Sequence, residues 1–97
     1  MITLDSIPVP APGISSRIMD GEAVLVHPGR GEVKVLNRLG AEVWKRLNGV
    51  RTVRDVVEEL ILVYTVDQAV LEADVTRFIE SLHTRELVTF ADLAGRS

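Results

Sequence analysis

The chain has 97 residues, no cysteine and a formal net charge of −3, with 46% hydrophobic and 26% charged side chains. A chain of this length forms one domain, buries about 60 to 65% of its unfolded surface and leaves little room for a deep catalytic cavity. The absence of cysteine excludes disulfides, zinc–thiolate sites and thiol catalysis. No apolar run approaches the roughly 20 residues of a bilayer span, and the amino terminus lacks a basic region followed by an apolar core, so a soluble, cytoplasmic protein without a membrane partner is expected.

Residues 1–13 carry Pro8, Pro10 and Pro12 in alternation, which biases them to an extended, polyproline-like arm lying beside the domain. A meander of three antiparallel strands follows. Ser16 to Met19 reads as the first, Asp20-Gly21 as a two-residue turn, and Ala23 to His27 as the second. Pro28 to Gly31 supplies another turn, after which Glu32 to Leu36 alternates apolar and polar residues as a third strand. Its period of two puts Val33 and Val35 on one face, assigned to the core, with Glu32, Lys34 and Leu36 on the other. As the chain leaves this strand directly for a helix, the strand is expected at a sheet edge, with unpaired backbone groups.

Three short amphipathic helices come next. Asn37 is the expected N-cap of the first, in which Leu39, Val43, Trp44 and Leu47 share a face and Gly49 marks the stop. Thr52 and Asp55 form a capping-box pair opening the second, with Val53, Val56, Val57, Leu60, Ile61 and Tyr64 at helical spacing. The third begins near Asp67 and aligns Leu71, Val75, Phe78, Ile79 and Leu82 on one stripe. Leu87 to Phe90 reads as a short extended piece, and residues 91–97 as a loose tail. Residues 14–90 thus form one α+β domain.

Chemistry is sparse. His27 and His83 stand far apart with no histidine at ligand spacing, so no metal site is expected. No serine, threonine or lysine has a nucleophile context, and the paired carboxylates lie on solvated helix faces, so no catalytic residue and no cofactor are expected. Residues 1–51 hold seven basic and five acidic side chains, whereas residues 52–97 hold four and nine. The third helix sets Glu72, Asp74 and Glu80 against Arg77, which argues against nucleic acid as a partner. Trp44 is assigned to the core, and so is Phe78, with the floor of a ligand groove as the alternative for Phe78.

The ordered set Leu36-Asn37, Gly40-Ala41-Glu42-Val43-Trp44, Leu47-Asn48-Gly49, Arg51-Thr52-Val53, Asp74-Val75, Leu82 and Leu87-Val88 resembles the PqqD-like proteins, the RiPP recognition elements of peptide natural-product pathways. The resemblance spans roughly residues 12–90 and includes the Pro12-Gly13 entry. It implies a winged helix-turn-helix-like fold that binds peptide in place of DNA: the leader of a ribosomally made precursor adds to the third strand and settles in a groove against the third helix. By that resemblance Glu32, Val33, Lys34, Val35 and Leu36 make or flank the strand pairing, and Val70, Asp74, Arg77, Phe78 and Ser81 supply the helix side. If the N–H of Lys34 faces the peptide, a proline there would block pairing. The Gly-Ala-x-Val-Trp stretch is most similar to the lasso-peptide B1 type, whose partner is a transglutaminase-like leader peptidase; the alternative type serves a radical SAM enzyme in pyrroloquinoline quinone synthesis. Two departures from the family stand out: the third strand has no aromatic residue, and Glu86 occupies a position where glycine commonly ends the last helix. A free edge could also pair with a second copy to give a homodimer.

Overall fold

The computed structural model describes residues 2–91. Five strands, β1 (Ile7–Pro10), β2 (Ser15–Met19), β3 (Glu22–His27), β4 (Glu32–Leu36) and β5 (Val88–Ala91), accompany three helices, α1 (Arg38–Lys45), α2 (Val53–Leu60) and α3 (Gln68–Thr84). The fold is α+β, and β2-β3-β4 form the expected three-stranded antiparallel sheet preceding the helices.

The N-terminal arm is built into the domain. β1 pairs antiparallel with β5, Val9 opposite Thr89, as a second sheet. The N–H of Ala11 donates to the Leu87 carbonyl in the same register, so bonding parity falls on Ile7, Val9 and Ala11. Pro8 and Pro10, which have no N–H, occupy the alternate positions and cost the ladder nothing. The alternation that reads as polyproline is therefore equally that of a strand paired on one side. The arm also completes α2, whose first-turn N–H groups on Val53 and Arg54 donate to the carbonyls of Ser6 and Leu4, partners that a helix terminus cannot supply itself. Ala91 closes β5, and the rest of the expected tail lies outside the described residues.

Helix caps follow the sequence closely. Asn37 Oδ1 accepts from the N–H of Gly40 at 2.8 Å, and Thr52 and Asp55 form both bonds of a capping box. Asp67 caps α3. The helix ends differ: α1 stops at Lys45 rather than Gly49, and Ile61 and Tyr64 lie beyond the last turn of α2. At the end of α3 the N–H groups of Glu86 and Leu87 reach back to the carbonyls of His83 and Leu82, a Schellman closure with Glu86 in the left-handed position at φ 62°.

One core joins Ala23, Leu25 and Leu36 of the sheet to Val43 and Trp44 of α1, Val53, Val56, Val57 and Leu60 of α2, and Leu71, Val75, Ile79 and Leu82 of α3. The anchoring role expected of Trp44 is met at 8% exposure. Outside the core, Arg46 ties the helices together, reaching Glu42 at 2.7 Å and Glu59 at 3.1 Å. The Glu42 carboxyl is held below the usual carboxylate range, first by its hydrogen bond with Lys45 and then by that with Arg46.

Deleting residues 1–11 removes buried Ile7 and two N-terminal acceptors of α2, and should lower unfolding free energy by at least about 2 kcal/mol in urea titrations. Because the Glu42 pKa is depressed in the folded state, its contribution is present above the unfolded carboxylate value and lost as pH falls through the folded one. Glu42→Gln should flatten the acid limb of the stability–pH profile measured by thermal melts.

Candidate functional site: an open strand edge beside a groove

The orientation of β4 follows from the turn two strands earlier. Asp20 and Gly21 both have positive φ, 52° and 82°, the signature of a two-residue type I′ turn, which makes Met19 and Glu22 a hydrogen-bonded pair. Along β3 the bonding direction alternates, so Glu22, Val24 and Val26 address β2 while Ala23, Leu25 and His27 address β4. In the register Ala23↔Leu36, Leu25↔Lys34, His27↔Glu32, the backbones of Leu36, Lys34 and Glu32 are therefore consumed by β3. Those of Val33 and Val35 point away, to an edge that no other strand among the described residues covers.

Two expectations are corrected by this geometry. Val33 and Val35 do not enter the core: they are 63% and 61% exposed, and it is Leu36 that is buried, at 2%. The core face of β3 is defined by Ala23 and Leu25, and register puts Leu36 and Lys34 opposite them, leaving the valines on the outer face beside Val24 and Val26. Lys34 likewise cannot present its N–H to a peptide, because Leu25 takes it. Glu32 and Lys34 are half-buried on the inner side.

Two contacts relate this strand to α3. At one end Arg30, in the β3–β4 loop, bridges Glu86 just past α3 at 3.1 Å. At the other, Asn37, the residue following β4, joins Leu39, Gly40 and Val43 of α1 and Asp74, Val75, Arg77, Phe78 and Ser81 of α3 around a groove of about 440 Å³. Four of the five helix-side residues expected from the sequence line it. Asp74 and Arg77 pair along the α3 side of its rim at 3.2 Å, the Ser81 hydroxyl donates to the Phe78 carbonyl at 2.7 Å, and Phe78 is half-buried, packing on the core while flooring the groove. Val70, the fifth, is 53% exposed and lies outside the groove, one helical turn before Asp74.

The α1 wall was not anticipated as part of the site. Leu39 and Val43 fit a helix stripe, which reads as core, and the signal that distinguishes them is Gly40, a residue costing about 1 kcal/mol relative to alanine inside a helix. Its neighbourhood explains it: a Cβ there would meet the Phe78 ring at 3.1 Å. Among the described residues no group of three metal-ligating side chains converges, and no helix is long and apolar enough to cross a membrane.

An antiparallel three-stranded sheet with an unpaired edge strand, flanked by a helix and an interhelical groove, defines the class of module. The family model described as coenzyme PQQ synthesis protein D (PqqD) matches residues 22–88, and the chain belongs to the PqqD family. The solved complex of TbiB1 with the TbiA(beta) leader peptide is similar to it, with 27% sequence identity, a TM-score of 0.79, and coverage of 87% of this chain and 99% of that one. A search of curated proteins found no match.

The parity of β4 makes a sharp contrast between neighbouring positions. Lys34→Pro deletes a ladder bond and strands the Leu25 carbonyl, which should cost about 1 to 3 kcal/mol in chemical denaturation. Val35→Pro removes an N–H that faces the open edge and should cost less than about 1 kcal/mol.

Proposed function

We propose that this chain binds the leader segment of a ribosomally synthesised precursor peptide and presents it to a separate processing enzyme. The observation that carries this reading is the unpaired edge of β4 leading into the α1–α3 groove; the likeness to TbiB1, solved with a leader peptide, supports it. The leader adds as a fourth strand, pairing with the backbones of Val33 and Val35, while Glu32, Lys34 and Leu36 hold β4 to β3.

The edge offers two N–H and two C=O groups. At about 0.5–1.5 kcal/mol net each they contribute roughly 2–6 kcal/mol, short of the roughly 8 kcal/mol of a micromolar complex. Side-chain burial in the groove over Phe78, beside Asp74, Arg77 and Ser81, must supply the rest and the selectivity. Val70, on the same side of α3, extends this surface toward its N-terminus.

The module acts without catalysis or cofactor, in the cytoplasm where precursor peptides are made. The Gly40-Ala41-Glu42-Val43-Trp44 stretch, which resembles the lasso-peptide B1 type, favours a lasso-peptide pathway, with a transglutaminase-like leader peptidase as partner. The matched family's description, coenzyme PQQ synthesis, supports a second reading, in which the partner is the radical SAM enzyme that the family resemblance implies. A DNA-binding role is disfavoured by the acidic side chains of α3, which would face phosphates. In the absence of leader, the same edge allows pairing with a second copy as a homodimer.

Fluorescence anisotropy with synthetic leader peptides, drawn from short precursor-like reading frames beside the gene, tests the proposal. Micromolar or tighter binding is expected, and loss of at least tenfold in Val35→Pro with the fold retained. Absence of binding to every neighbouring leader by folded protein would reject it.

A further inference from the structure

Glycine is a poor helix former, yet one occupies the first turn of the eight-residue α1. Backbone conformation does not require it, for Gly40 is not among the glycines of positive φ. Space does. A Cβ at position 40 would lie 3.1 Å from Cζ and 3.2 Å from Cε1 of Phe78, and 3.3 Å from Oδ1 of Asn37. The ring edge is the neighbour that must give. Asn37 is held by the cap bond it accepts from the N–H of Gly40 at 2.8 Å, and Phe78 is rooted beside Ile79, a fully buried core residue. An added methyl would push the ring edge off α1 and into the groove that it floors.

We infer that Gly40 sets the depth of the groove: lacking a Cβ, it lets the Phe78 ring edge lie against α1, and the space left above the ring accepts one bulky apolar side chain of the leader, aromatic or of leucine size. This deepens the leader-binding reading and rests on it. The apolar class follows from the lining. Leu39, Val43, Val75 and Phe78 wall the groove with carbon, while its polar side chains, Asp74, Arg77 and Ser81, are exposed and already hydrogen-bonded within α3. A polar side chain seated on the Phe78 ring would lose water against those carbon walls. The volume of about 440 Å³ is ample for an aromatic ring.

The test is a double-mutant cycle on affinity, read by anisotropy with fluorescein-labelled synthetic peptides covering the leader encoded beside the gene. Wild type, Gly40→Ala, Phe78→Leu and the double variant are compared, with folding checked by circular dichroism. Gly40→Ala should bind about tenfold more weakly. In the Phe78→Leu background, which lacks the ring atoms that the new Cβ meets, the same change should alter affinity less than twofold. Replacing one bulky apolar leader residue by alanine should weaken binding to wild type and leave binding to Gly40→Ala nearly unchanged. Equal losses in both backgrounds, or full affinity in a folded Gly40→Ala, would overturn the inference while leaving leader binding intact. Failure of wild type to bind overturns both. Should Gly40→Ala not fold, the double variant decides: affinity within twofold of Phe78→Leu supports the role of Gly40, and a larger loss removes it.

Discussion

The site depends on one alternation, the direction in which each residue of β3 spends its backbone bonds. A two-residue turn with two left-handed residues, Asp20 and Gly21, commits Glu22 to β2, and every second residue after it follows. The consequence emerges on the far side of the sheet: Lys34 is committed to Leu25, and Val33 and Val35 are left open. Moving the pairing by one residue would exchange these roles and turn the core residue Leu36 to solvent. Burial of Ala23, Leu25 and Leu36 and availability of the β4 edge are two outcomes of the same register.

A second constraint keeps the helices where that edge can use them. The arm before the sheet satisfies the first turn of α2 through the carbonyls of Leu4 and Ser6 and pairs with β5 after α3. The start of α2 and the strand after α3 are thereby held by a single segment, and the Arg30–Glu86 contact ties the β3–β4 loop to the C-terminal end of α3. That ion pair is exposed and weak. The placement comes instead from the Schellman closure and from Leu87 and Val88, both buried.

Much of this was legible in the chain. The three-stranded meander, the three helices, the N-caps at Asn37 and Thr52, the start of the third helix near Asp67, and most core residues follow from local rules: turn chemistry, period two, period 3.6 and capping. Four groove residues, Asp74, Arg77, Phe78 and Ser81, were legible by family resemblance because they share a helix face with fixed spacing. The β1–β5 pairing was not, because alternating prolines suit polyproline geometry and a one-sided strand equally, and only the partner 80 residues later distinguishes them.

What the sequence by itself determined is local: where each element starts, which residues are apolar at the right spacing, and that β4 passes straight into a helix. Which of the two faces of β4 is buried could not be read from it, since Val33 and Val35 on one side and Leu36 on the other are all apolar, and an isolated strand has no inside. Tertiary structure decided that through register with β3, and decided in the same step which backbone groups stay free. It also decided that Gly40, Leu39 and Val43 line the groove, because a groove between α1 and α3 is a property of two helices together and neither helix carries it alone.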